Sequence, residues 1–193
     1  MYKEFFSTLA ILVTFTLFIP YIRSIQRGKT KPHLFSWVIW GLGTLVVCFA
    51  QLADNGGLGA WVIGISGLIS IYIAFLAYLK RGDTLITKLD WMFFIAALSA
   101  LPCWYLTANP LWAVVMLTLV DLFGFGPTIR KAYNRPHEEN TVFFALSFGR
   151  NLLVILALEH YSLTTVLFPA AVGFACLLVA SLLSYRKCVI SAM

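Results

Sequence analysis

Seven unbroken apolar runs, each about the length of a bilayer-crossing helix, take up most of this 193-residue chain. They cover roughly 5–22, 34–52, 57–79, 87–106, 110–127, 141–158 and 162–185. Crossing the hydrocarbon core takes about 20 helical residues. The runs are continuous rather than alternating, so they read as helices and not as barrel strands. The connections between them are at most about a dozen residues long, too short to hold a soluble domain. Composition agrees: 61% of residues are hydrophobic and 11% charged, where a soluble domain carries about 25% charged residues. The expected fold class is therefore all-α integral membrane, with seven transmembrane helices and the lipid bilayer as its first partner.

The net charge of +6 does not point to nucleic acid, because the basic residues sit in short loops between apolar runs. Arg23, Arg27, Lys29 and Lys31 fall in the first loop. Lys80, Arg81 and Lys88 fall around the third, Arg130, Lys131 and Arg135 in the fifth, and Arg186 and Lys187 in the tail. Only Lys3 lies on the other side, and Arg150 lies inside a run. By the positive-inside rule this predicts a cell-membrane protein with its N-terminus outside and its C-terminus cytoplasmic. The first run has no small-x-small cleavage pattern and is followed at once by basic residues, as a retained span would be. Cys48, Cys103, Cys176 and Cys188 show neither disulfide nor metal spacing and read as small packing residues.

The chain also repeats itself. Pro-x-Ile-Arg stands at 20–23 and again at 127–130, each time after an apolar run and before a loop. With a one-residue shift, Gly41 aligns with Gly149 and Gln51 with Glu159; runs three and seven end alike, in Tyr-Leu-Lys-Arg and Ser-Tyr-Arg-Lys. Three spans reverse the direction of the chain, and one extra span restores it. The expectation is a 3+1+3 parallel repeat: a first three-helix unit over 1–82, a linker helix over 83–108, and a second unit with a short tail over 109–193. Parallel repeats of this kind are related by an axis along the membrane normal, with the site between them near the midplane.

This arrangement, with Pro20 and Pro127 near the inner ends of spans one and five and a basic loop after each, resembles the PQ-loop and SWEET superfamily of small-solute transporters. The resemblance covers the whole chain in architecture. It implies two parallel three-helix bundles and hinge roles for Pro20 and Pro127.

Ionisable residues inside a bilayer are costly and are functional candidates by default. Asp121 in run five and Arg150 in run six both fall in the middle third, on antiparallel helices, so they are able to meet. Two readings stay open. Either the two form a structural pair that fixes helix register, or they line a cavity, where Asp121 would take up a proton and Arg150 would hold an acid group of the substrate. Asn151 points about 100° from Arg150 around the helix, so the two need not face one site.

Among the tryptophans, Trp61, Trp91, Trp104 and Trp112 fall near span ends and read as interfacial anchors. Trp37 and Trp40 share a helix face at i, i+3 and are the aromatic pocket candidates, with Tyr72 a third. Ser66 and Ser70 read as bonding back to their own helix or permitting close packing. The run Phe-Gly-Phe-Gly-Pro at 123–127 places Gly124, Gly126 and Pro127 together as a candidate hinge. Gly-rich 57–67 reads as a close-packing face, not a phosphate loop.

Run seven has no lysine for a retinal Schiff base. No nucleophile–base or metal-ligand cluster appears, so the chain reads as neither an enzyme nor a metal- or cofactor-bearing protein. The expectation is a transporter of a small polar or charged solute by alternating access, with proton coupling through Asp121. The alternative is a non-transporting receptor or scaffold on the same fold. A homo-oligomer is compatible with either.

Overall fold

The computed structural model describes residues 2–28, 32, 34–80, 88–134, 136 and 140–191, without the side chains at 35, 89, 90, 93, 126, 127, 130 and 131. The described residues form seven α-helices: α1 Tyr2–Gln26, α2 Leu34–Ala53, α3 Leu58–Leu79, α4 Lys88–Thr107, α5 Pro110–Asn134, α6 Thr141–Ala157 and α7 Leu163–Ser191. No strand occurs among them. All seven apolar runs became helices. Helices α1, α5 and α7 run well past the C-terminal ends of their apolar runs, so Arg23, Arg186 and Lys187 lie on helix extensions rather than in loops.

Four stretches are long and apolar enough to cross a membrane by themselves: Tyr2–Gln26, Ser36–Ala53, Leu58–Leu79 and Leu163–Ile190. The other three are shorter apolar segments, Phe94–Thr107, Pro110–Phe125 and Thr141–Ala157. Seven full-length spans are thus not what length alone delivers. Helix α6 stops at Leu158, where the backbone turns extended, and its 17 residues measure about 25 Å at 1.5 Å per residue. Large apolar side chains such as Phe49, Leu68, Phe75, Leu101 and Phe174 cover the outside. A surface of this kind suits lipid and not water, and the molecule is a membrane-embedded helical protein.

Helix α3 packs against both α1 and α2, and α7 packs against both α5 and α6. Between these groups α1 meets α6, and α2 meets α5. Helix α4 packs mainly on α5. The buried apolar side chains are not spread evenly along this bundle. At the end carrying the α2–α3 and α6–α7 turns, one core joins every helix, including Ala10, Val47, Val62, Ala100, Val114, Val154 and Phe168. Toward the opposite end, which the sequence marks as the basic one, the core splits. Ile25, Ile73 and Leu76 form a cluster in α1 and α3, and Ala132, Phe144, Val179 and Leu183 form another in α5–α7. A cavity lies between these two clusters.

The glycine-rich start of α3 is a close-packing face, as its composition suggests. A Cβ at Gly59 would lie 2.8 Å from both the Val154 carbonyl oxygen and Leu158 Cδ2, so α3 touches the backbone of α6 there. A backbone neighbour cannot step aside as a side chain can. Gly59→Val is therefore expected to lower stability by about 1–3 kcal/mol, the usual cost of overpacking, and to lower the melting temperature of the purified protein; an unchanged melt would contradict this packing.

Candidate functional site

The cavity between the split clusters has a volume of about 340 Å³, within the range of small-molecule sites. Every helix except α4 contributes to its wall, and the wall is mostly apolar, with Phe168 and Val172 from α7 and Phe144 from α6. Among the polar groups facing it are Asp121, Arg150, Asn151, Ser66, Ser70, Thr44 and Ser147.

Arg150 sits at its deep end and is 9% exposed. Its Nε donates to Thr14 Oγ1 of α1 at 3.0 Å. Its Nη2 donates to the Val62 carbonyl at 3.3 Å and to Ser66 Oγ, both on α3. These acceptors are neutral. Both hydroxyls also donate to their own helices, Thr14 to Ala10 O at 2.8 Å and Ser66 to Val62 O at 3.2 Å. Nη1 has no protein acceptor among the described residues. The guanidinium is thus positioned by three bonds while its charge is left without a counter-charge in contact.

Asp121 lines the same cavity from α5 and makes no hydrogen bond or ion pair with any described residue. The two charges share a site without pairing, so the simple structural pair is not formed. The guanidinium is turned toward α1 and α3, where Thr14, Val62 and Ser66 accept from it, while Asp121 comes from α5, which is not among the helices closely packed on α6.

Asn151 is 2% exposed and joins the cavity wall beside Arg150 despite the 100° between them. Its Nδ2 donates to the Ser147 carbonyl at 2.8 Å, whereas its Oδ1 is buried without a partner. An orphaned buried acceptor costs about 1–3 kcal/mol.

Trp37 and Trp40 both line the cavity. Their rings meet edge-to-face at 5.5 Å, and Trp37 also contacts Tyr21 at 5.3 Å and Phe18 at 6.4 Å. Trp40 lies close to Gly124, where a Cβ would stand 3.5 Å from its Nε1. Gly124 therefore serves here as the surface on which the α2–α5 seam closes. Position 127 falls within the helical backbone of α5, which continues to Asn134; Gly126 and Pro127 otherwise lie outside the described residues. Pro20 lies inside α1 and faces a neighbouring groove, not the cavity.

Tyr72 is not brought to the site. It is 43% exposed on the outer surface because Ser66 and Ser70, four residues apart, set the inward face of α3, and position 72 is rotated about 200° from Ser70. Trp61, Trp91 and Trp112 are exposed, as anchors would be, but Trp104 packs against the shared core. Thr14 was not singled out by the sequence; a threonine midway along an apolar run was its only signal.

At the far end the two halves are tied together by polar contacts. Ser162 Oγ donates to Asp54 Oδ2, and His160 Nδ1 lies 3.0 Å from the Asp54 carbonyl. Glu159 N donates to Gly56 O at 3.1 Å, Lys3 Nζ to Glu159 O at 3.0 Å, and Gln51 Nε2 to Thr165 O at 2.7 Å. The site is thus sealed at one end by a continuous core and a hydrogen-bonded closure, and parted at the other. No family model, curated protein or solved structure matches this chain.

Proposed function

We propose that this protein is a multi-pass membrane transporter that moves a small solute bearing an acidic group by alternating access. The observation that carries this reading is Arg150, a nearly buried guanidinium fixed by α1 and α3 with Nη1 unbonded at the deep end of a cavity. A charge held without a counter-charge inside a bilayer is costly, and an acid group of a solute would offset that cost bidentately. Trp40 and Trp37 supply the aromatic wall, and Asp121 is the proton carrier.

The arrangement of the halves is read as a 3+1+3 parallel repeat. Its support is the pairing of contacts: α3 and α7 are the central helices of their groups, and α1–α6 mirrors α5–α2. That architecture, with the Pro-x-Ile-Arg junctions, resembles the PQ-loop and SWEET superfamily. The basic end is assigned to the cytoplasm, so this conformation is inward-open and outwardly closed.

The test is uptake into proteoliposomes across a panel of small carboxylates, phosphates, sugars and neutral solutes, with and without a pH gradient. Acid uptake stimulated by an inward proton gradient is expected, and Asp121→Asn should remove the stimulation. Intact proton-driven uptake in Asp121→Asn would refute the proton role. Saturable binding without uptake would refute transport in favour of a receptor.

A further inference from the structure

A second hollow of about 470 Å³ lies along the seam between α1 and α6, toward the basic end. Thr16 and Pro20 form one side, and Asn140, Val142 and Leu146 the other. Leu17, Tyr21, Phe143 and Phe144 line both this groove and the central cavity, so these four side chains are the wall between them. The groove's mouth is apolar: Val142 and Leu146, both in its lining, are exposed. It faces the side of the bundle where lipid would be.

The two seams between the halves differ. At α2–α5, Trp40 stands over Gly124 and Leu117 crowds Gly43, where a Cβ would lie 3.2 Å from Leu117 Cδ2. That seam is shut. At α1–α6 the helices pack closely along much of their length, and the seam is hollow only toward the basic end, where Pro20 adds a polar feature to it. Proline has no N–H, so the carbonyl of Thr16, four residues earlier, loses its helical donor. Along α6, Arg150 is four to seven residues beyond Phe143 and Leu146, or about 6–10 Å by helix rise.

We propose that the α1–α6 groove is a lateral entry from the bilayer, and that its ligand is a single-chain aliphatic carboxylate. The acid group seats on Arg150 Nη1 and the chain lies outward through the wall at Leu17 and Phe143 into the groove. The charge of Arg150 selects the head group, and the apolar groove, which shares that side-chain wall with the cavity, selects the chain. Asp121 is on α5 at the closed seam, off this path. The inference rests on the acid-binding role of Arg150 but goes beyond it, because a water-soluble acid needs no groove.

The experiment uses full-length protein in phosphatidylcholine vesicles and a spin-labelled stearate, with decanoate, decanol and butyrate as competitors. An immobilised spin-label population displaced by decanoate, but not by decanol, is expected. Leu146→Trp and Val142→Trp, both at the lipid-facing mouth, should each weaken decanoate competition by about tenfold or more, a loss of about 1.4 kcal/mol, and leave butyrate uptake unchanged. Arg150→Gln should abolish both. Decanoate competition unaffected by either tryptophan, or retained in Arg150→Gln, would overturn the lateral site. Butyrate uptake that needs Arg150 without any decanoate binding would overturn it too, yet leave the acid-transport reading standing. Failure of both acids to engage Arg150 would remove both.

Discussion

Arg150→Ala is expected to abolish solute uptake while leaving the folded protein at least as stable as the parent. Removing one partner of a buried, hydrogen-bonded charge pair costs about 2–5 kcal/mol of binding, so uptake should fall by at least about 30-fold. Stability should move the other way. Among the described residues the guanidinium touches only neutral acceptors, and a buried charge without a counter-charge is destabilising by several kcal/mol. Its loss orphans little, since Thr14 and Ser66 keep bonds to their own helices. Arg150→Lys should retain weak uptake, because an ammonium keeps the charge but cannot reach α1 and α3 together as the planar fork does. Uptake and thermal melts of the three proteins decide the matter. A lower melting temperature with normal uptake would mean that Arg150 is a structural residue.

Gly57→Val is expected to open the far end of the molecule. Gly57 has φ +61° and ψ −136°, a backbone conformation that glycine alone adopts readily and that costs a residue with a Cβ about 1–3 kcal/mol. A Cβ there would also run into the side chain of Glu159. Both effects act on the contact between the α2–α3 and α6–α7 turns, where Gly56 and Glu159 are bonded. The closure has few other direct ties, notably Asp54 to Ser162 and to His160, and Gln51 to Thr165. A net hydrogen bond contributes about 1 kcal/mol, so the loss of one or two shifts the equilibrium by about tenfold. The reporter is Ser7→Cys, in a background with the native cysteines changed to serine; Ser7 is buried behind the closure, near the Leu58 carbonyl. Adding Gly57→Val should speed its labelling by a membrane-impermeant thiol reagent about tenfold, and Asp54→Ala should do so to a lesser degree. Unchanged labelling rates would show that these turns do not gate access.

The sequence was informative about what must cross the apolar region and poor about which way side chains turn. The lengths of its apolar runs set the seven helices, because a backbone without water must satisfy its own hydrogen bonds. The rarity of charge within those runs was enough to pick out Asp121 and Arg150, and both line the cavity. Trp37 and Trp40 were found because i, i+3 spacing fixes their shared face whatever the helix packs against.

Rotation was a different matter. In a soluble helix one face is polar, so periodicity tells inside from outside. Here the lipid face and the core face are both apolar, and that signal is lost. This is why Tyr72 looked equivalent to its neighbours yet turned outward, and why Thr14 was passed over. The same blindness hid the partners of Arg150. Its charge and depth are properties of one position in one helix, which the sequence by itself determined. Whether it meets a carboxylate or three neutral oxygens depends on how α1, α3, α5 and α6 are rotated against one another. Only the tertiary structure decided that, by packing Gly59 against α6 and bringing Thr14 and Ser66 to the guanidinium while α5 stayed on the far wall.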